Sequence, residues 1–157
     1  MFQVPTKTQY AIRALVHLVQ TKTASVASIA ETERIPFKYL EAIFSQLKSA
    51  GLLCADRGRS GGYRLAREPE LILMSDVVKA TEGDIRPVEC VDDASICTVA
   101  EGCLPRRFWL GLKRTVDAYL ASVTLAEIAE PLSQQPRIEF SPQLEKSAIA
   151  ANKEQHS

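Results

Sequence analysis

The 157-residue sequence predicts a mainly α-helical fold with a small β wing and a long C-terminal helix. Three observations carry that prediction. Apolar residues recur at helical spacing in three segments before residue 51, two β-prone pieces flank a tip rich in glycine and arginine, and a further helical stripe starts at Pro105.

Thr6 and Gln9 have the spacing of a capping box, which predicts the start of the first helix. Its body, with Tyr10, Ala11, Ile12, Ala14, Leu15, Val16, Leu18 and Val19, is nearly all apolar and must be covered on more than one side. Ser25 is the expected N-cap of a short second helix reaching Glu33, with Val26, Ile29 and Ala30 turned inward. After a turn at Arg34 and Ile35, Pro36 fits the first turn of a third helix that runs to Ala50 and stops at Gly51. Leu40, Ile43, Phe44 and Leu47 make its apolar stripe, and Lys38, Glu41, Ala42, Ser45 and Lys48 occupy the opposite face. The β-prone pieces 52–55 and 63–66 flank the tip 56–62. Three helices and a basic hairpin make a winged helix-turn-helix, assigned to residues 1–83.

Beyond it, a helix over about 75–81 ends near Gly83, and residues 84–104 lose helical period and form a loop holding three cysteines. Pro105 opens the longest helix, to about Val123. Along it Trp109, Leu112, Val116, Tyr119 and Val123 alternate spacings of three and four, the seam of a dimerisation helix. Thr124 is the expected N-cap of a last turn or two to Glu130, closing a segment over 105–130. Residues 131–157 are rich in Pro, Ser, Gln and charge and are expected to be disordered.

The formal net charge of zero hides an asymmetry: residues 1–67 hold ten Lys and Arg against four Asp and Glu, and residues 68–157 hold nine against fifteen. A basic front half suits a polyanionic partner. No stretch is apolar enough for a membrane span and no leader pattern is present, so a cytoplasmic location without membrane contact is expected. In a reducing compartment four cysteines are poor candidates for a disulfide framework. No nucleophile–base pair or cofactor fingerprint stands out, and the histidines are His17 and the tail residue His156, so an enzyme is not expected.

Chemistry concentrates in three places. At the wing tip, Arg57, Arg59 and Arg64 are interleaved with Gly58, Ser60, Gly61, Gly62 and Tyr63. Glycines permit close approach to a DNA backbone, while guanidinium groups pair with phosphate or enter the minor groove. On the third helix, Lys38 and Tyr39 are placed for phosphate contact beside Ser45, and Glu41 is a candidate to accept a hydrogen bond from a cytosine amino group in the major groove. In the loop, Cys90, Cys97 and Cys103 are spaced C-x6-C-x5-C, and soft thiolates that converge from a loop suit an iron–sulfur cluster. Zinc and free sensing thiols are the rivals. Cys54, between Leu53 and Ala55, reads as a small hydrophobe.

These residues resemble the IscR/NsrR/CymR family of bacterial winged-helix regulators over residues 1 to about 130. The matching pieces are Thr8-Gln9-Tyr10-Ala11, Tyr39-Leu40-Glu41, Gly51-Leu52, Arg57-Gly58 with Gly61-Gly62-Tyr63, Asp76-Val77-Val78, the three loop cysteines, and Thr124-Leu125-Ala126-Glu127. The resemblance implies a homodimeric transcription regulator that binds a roughly palindromic double-stranded operator as a repressor or dual regulator. An iron–sulfur cluster on Cys90, Cys97 and Cys103, either 2Fe-2S or 4Fe-4S, would sense redox state, nitric oxide or iron. It also implies that Glu41 discriminates between classes of operator. Where the iron–sulfur-assembly regulators carry a ligating histidine three residues after the last cysteine, this sequence has Arg106, which a guanidinium's permanent proton disqualifies as a ligand. The position matching the acidic N-terminal ligand of nitric oxide sensors holds Gln9, leaving Glu89, Asp92, Asp93, Glu101 and His17 as local candidates. Two other readings stand beside this one: a cluster-free regulator responding through thiols or a partner protein, and an iron–sulfur electron carrier.

Overall fold

Helices α1 (Thr6–Thr21), α2 (Val26–Glu33) and α3 (Phe37–Ser49) meet through Ala11, Ala14, Leu15 and Leu18 of the first, Ile29 of the second, and Leu40, Ile43, Phe44 and Leu47 of the third. The structure, a computed structural model, describes residues 3–56, 61–96 and 102–131. The off-stripe residues of α1, Ile12, Val16 and Val19, are half-buried against the same core, which accounts for its nearly continuous apolar sequence.

The start of α1 departs from the expected capping box. Pro5 occupies the N-cap and Thr6 is already helical, so its hydroxyl is out of place to cap; the Gln9 side chain instead donates to the Val4 carbonyl at 2.7 Å. Ser25 does cap α2, its Oγ accepting from Ser28 N–H at 3.1 Å. Arg34 ends that helix in the left-handed region (φ 53°), and Ile35 N–H donates back to Ala30 at 2.9 Å. This tight turn sets α3 across α2. Gly51, at φ +72°, closes α3 in the same way, letting Leu52 N–H reach the Leu47 carbonyl at 2.9 Å.

Because Leu52 spends its N–H on that closure, β1 begins one residue later than expected, at Leu53–Asp56. It pairs antiparallel with β2 (Gly62–Leu65), Leu53 opposite Leu65 and Asp56 opposite Gly62. The outer side of β2 is paired too: Tyr63 exchanges both backbone hydrogen bonds with Ala24, in the α1–α2 connection, at 2.8 and 3.2 Å. The approach is close at Gly62, where a Cβ would lie 3.1 Å from the Ala24 carbonyl oxygen and 3.2 Å from Thr23 Cγ2, so a side chain there would have to push the α1–α2 connection back by a few tenths of an ångström.

A 3-10 turn (Pro69–Leu71) leads into α4 (Met74–Glu82), which ends at Gly83. Its last turn is tied to the first turn of α1 by a buried pair, Thr8 Oγ1 and Thr81 Oγ1 at 2.9 Å, while Thr8 Oγ1 also donates to Glu82 at 3.0 Å. Between 84 and 96 the chain makes two further 3-10 turns, Glu89–Val91 and Ala94–Ile96. Helix α5 (Leu104–Ser122) then leads back to the head. At its end Val123 C=O accepts from Met74 N–H at 2.9 Å, Leu125 N–H donates to Ile72 C=O at 2.8 Å, and Leu125 is fully buried in the core of α1–α4. The short α6 (Leu125–Ala129) is capped by Thr124 as expected, and the cap is a full capping box, with Glu127 N–H donating to Thr124 Oγ1 at 3.2 Å and Thr124 N–H to Glu127 Oε2 at 2.7 Å. The tail expected to be disordered lies, beyond Pro131, outside the described residues.

Leu125 should therefore act as a core residue despite its place after α5. Leu125→Ala is expected to cost about 2–5 kcal/mol in urea unfolding; a loss under about 0.5 kcal/mol would contradict its burial. The Thr124 N–H, then its hydroxyl, hold the Glu127 carboxyl below the usual range. The cap is therefore complete at neutral pH and is lost only as pH falls through and below the ordinary glutamate range, a dependence that Glu127→Gln should flatten in acid-unfolding curves.

Candidate nucleic-acid interface and cysteine loop

The buried stripe of α3 fixes which face it shows to solvent. Leu40, Ile43, Phe44 and Leu47 point into the core, so Lys38, Tyr39, Glu41, Ala42, Ser45 and Lys48 line the exposed side, as expected. Glu41 is not isolated there: Lys38 Nζ lies 3.3 Å from its Oε2, both side chains well exposed. Such a surface pair is worth little and opens easily, so both groups remain available to a polyanion. Tyr39 is 40% exposed, its ring edge-on to Tyr10 of α1 at 5.8 Å. Tyr10 thus sets the direction in which the Tyr39 hydroxyl projects, a support the sequence did not single out because Tyr10 reads only as part of an apolar helix.

In the hairpin, Arg57, Arg59 and Ser60 lie outside the described residues. Gly61 is exposed at φ +48°, and Arg64 is exposed on β2. Tyr63 is half-buried, its ring packed edge-on against Phe44 at 5.0 Å. Its backbone is committed to Ala24 and its ring to the recognition helix, so it fixes the hairpin to the head.

The cysteine loop leaves α4 at Gly83 and returns at α5. Cys90 lies in the 3-10 turn held by buried Val91, and Cys103 is the N-cap of α5; both are free and half-buried. Cys97 lies outside the described residues, as does Glu101. Arg106, one turn into α5, donates from Nε to the Cys90 carbonyl at 3.0 Å, which brings Cys90 to the turn that starts at Cys103. Several candidate oxygen and nitrogen ligands are committed elsewhere. Asp92 pairs with Arg86 at 3.0 Å, and Asp93 accepts from the hydroxyl and N–H of Ser95, which hold its carboxyl below the usual range. His17 Nδ1 is 3.1 Å from Glu33, which Arg13 also engages, and Gln9 is bonded to Val4. Glu89 is exposed next to Cys90. Among the described residues no three His, Cys, Asp or Glu side chains converge on one point. Cys54 is half-buried in β1, opposite Arg64.

The expected seam on α5 is placed in part. Trp109, Leu112 and Val116 are half-buried and Tyr119 is 44% exposed, but Val123 falls just past the helix, packed on the head, because its carbonyl is bound to Met74. The most exposed apolar side chains of α5 are Leu104 (82%), Phe108 (64%) and Tyr119 (44%), about one and then about three turns apart along the same side. No residue of α5 is fully buried within the chain.

A solvent-facing helix seated by a helix-turn-helix core, with an arginine-bearing hairpin beside it, defines a winged-helix DNA-binding transcription regulator. The family model for Rrf2, described as an iron-dependent transcriptional regulator, matches residues 4–131. The chain belongs to the Rrf2 family. CymR of Bacillus subtilis is 33% identical over 130 residues, covering 81% of this chain and 89% of that one. IscR of Vibrio atlanticus is 31% identical over 129 residues, covering 80% and 74%. Among solved structures, CymR of B. subtilis, described as its global cysteine regulator, superposes with a TM-score of 0.67 at 33% identity, covering 82% of this chain and 97% of that one. IscR of T. potens gives 0.66 at 30% identity, covering 87% and 93%. Among the described residues no helix is long and apolar enough to cross a membrane.

Lys38→Ala separates stability from binding. With the pair exposed, unfolding free energy should change by less than about 0.5 kcal/mol, while affinity for DNA of any sequence falls and its salt dependence becomes shallower by about one counterion. Fluorescence anisotropy at several salt concentrations reads both.

Proposed function

We propose that this chain is a homodimeric regulator whose operator binding is controlled by an iron–sulfur cluster on Cys90, Cys97 and Cys103. The observation that carries the reading is the approach of Cys90 to the first turn of α5, which Cys103 caps. Two half-buried thiols from opposite ends of a loop, with a third cysteine between them in sequence, are a soft donor set that suits iron and sulfide. When bound, such a cluster supplies a centre that gains or loses electrons, iron or small gases. Glu89, exposed beside Cys90, is the candidate fourth ligand, since Asp92 and Asp93 are held by Arg86 and Ser95.

The chain's own residues supply the output. Lys38, Tyr39, Glu41 and Ser45 of α3 enter the major groove, where Glu41 leaves Lys38 to accept from a cytosine amino group and Lys38 turns to a phosphate. Arg57, Arg59, Ser60, Gly61 and Tyr63 belong to the wing that meets the backbone or minor groove. Helix α5 pairs two chains: a 19-residue helix that buries none of its residues within its own chain and exposes Leu104, Phe108 and Tyr119 is poorly satisfied alone. Since the loop joins α4 of the head to α5, two loop arrangements set two spacings of the heads. A cluster shifts operator affinity by the difference in its affinity for those arrangements.

A second reading rests on the half-buried free thiols themselves: a regulator of the same fold that responds through cysteine chemistry without a cluster.

Purification without oxygen decides between them. The cluster reading expects a visible absorption band with iron and sulfide in proportion to protein, lost in the Cys103→Ala protein; a colourless, iron-free protein selects the thiol reading. On DNA, Arg59→Ala should weaken specific and nonspecific binding alike and reduce the salt slope by about one. Glu41→Ala should change the ranking of operator variants, and an unchanged ranking removes its reading role.

A further inference from the structure

Arg106 stands where a ligating side chain was looked for, yet it is engaged with the backbone of a cysteine. It lies three residues after Cys103, on the first turn of α5, half-buried, and its Nε donates to the Cys90 carbonyl at 3.0 Å. A guanidinium keeps its proton and cannot ligate iron. It can, however, make a strong charge-assisted hydrogen bond to a carbonyl, and its rigid fork fixes the direction of that bond. Asp92, two residues after Cys90, is paired with Arg86 at 3.0 Å.

We propose that Arg106 is a positioning residue for the cluster site: it pins the peptide that carries Cys90 to the helix turn that carries Cys103. This rests on the cluster reading above. The loop is otherwise weakly fixed at Cys90, where Val91 is its one buried side chain in that turn. Losing the bond frees the Cys90 peptide from α5, and holding two thiolates in register is the entropic cost of assembling a cluster from a loop. Arg106 thus replaces a ligand with a scaffold: the site gives up a protein donor at this position and gains a fixed bond between the loop backbone and the first turn of α5.

The test uses the full chain, purified without oxygen, as wild type and as Arg106→Met and Arg106→Gln. Methionine keeps an apolar stem of similar reach and removes charge and donors; glutamine is the second variant should the first fail to fold. Iron and sulfide content, decay of the visible band under EDTA, and the thermal midpoint of the metal-stripped protein are measured. In the stripped protein, the rate of iodoacetamide alkylation at Cys90 is located by mass spectrometry, with Cys54 as internal reference. The expected result is decay about tenfold faster in either variant, with Cys90 alkylated severalfold faster relative to Cys54 and the thermal midpoint unmoved. A merely structural role would instead lower the midpoint and leave the Cys90-to-Cys54 ratio as in wild type. Decay and alkylation at wild-type rates in both variants overturn the role of Arg106 while leaving the cluster reading intact. A wild-type protein with no iron and no band overturns the cluster reading and this inference with it.

Discussion

Everything beyond the DNA-binding head depends on one short antiparallel contact, the return of residues 123–125 onto 72–74. Two backbone hydrogen bonds, at 2.8 and 2.9 Å, and the full burial of Leu125 fasten the end of α5 to the strand-like entry of α4. The segment from Gly83 to Val123, cysteine loop and α5 together, therefore starts and finishes on the head. A segment fixed at one end would dissipate any rearrangement in the freedom of the other; one fixed at both passes a change in the loop to the helix within it. The Thr8–Thr81 hydroxyl pair plays the matching part at the outgoing end, holding the last turn of α4 against α1 just before Gly83 releases the chain.

The recognition face follows a different economy. Leu40, Ile43, Phe44 and Leu47 on its apolar side are committed to the core, and its polar side is held by contacts that cost little to break. Tyr10 beneath Tyr39 and Phe44 beneath Tyr63 are the exceptions, aromatic supports that reach from the core to the two DNA-facing elements. Rigid placement of the elements combined with lightly held charged groups is what sequence reading by a helix requires, because each side chain must exchange a weak surface partner for a base or phosphate.

Much of this was legible in the sequence, for reasons visible in particular residues. The period of Leu40, Ile43, Phe44 and Leu47 specified both α3 and its outward face, and Ser25, Gly51 and Thr124 marked ends because capping chemistry is local. The misses are equally specific. The Thr6–Gln9 spacing suggested a capping box that Pro5 pre-empts by taking the cap itself. The single-residue pairing of Ala24 with Tyr63 has no period to betray it, and five-residue α6 is too short to show that Leu125 is a core residue. On α5 the spacing of Trp109, Leu112, Val116 and Tyr119 did locate an amphipathic helix. It could not tell which side the chain's own head would half-cover, since that depends on where residues 123–125 dock. The cysteine spacing singles out Cys90, Cys97 and Cys103 as the donors proposed above, but in the sequence Arg106 reads only as a lost ligand, because its bond to the Cys90 carbonyl joins residues sixteen apart.

The hairpin's attachment also bears on how mutations in this regulator would be read. Gly62 lies tight against Ala24, and Tyr63 is shared between that strand-like segment and Phe44. A genetic screen for loss of regulation would return substitutions at Thr23, Ala24, Gly62 and Phe44 beside those at Arg59 or Lys38. The first group would act by tilting the wing off its seat, leaving in place the side chains proposed to contact phosphate. Compensating changes should then arise in pairs across the α1–α2 connection and β2, so the angle of the wing can evolve separately from the residues that touch the operator.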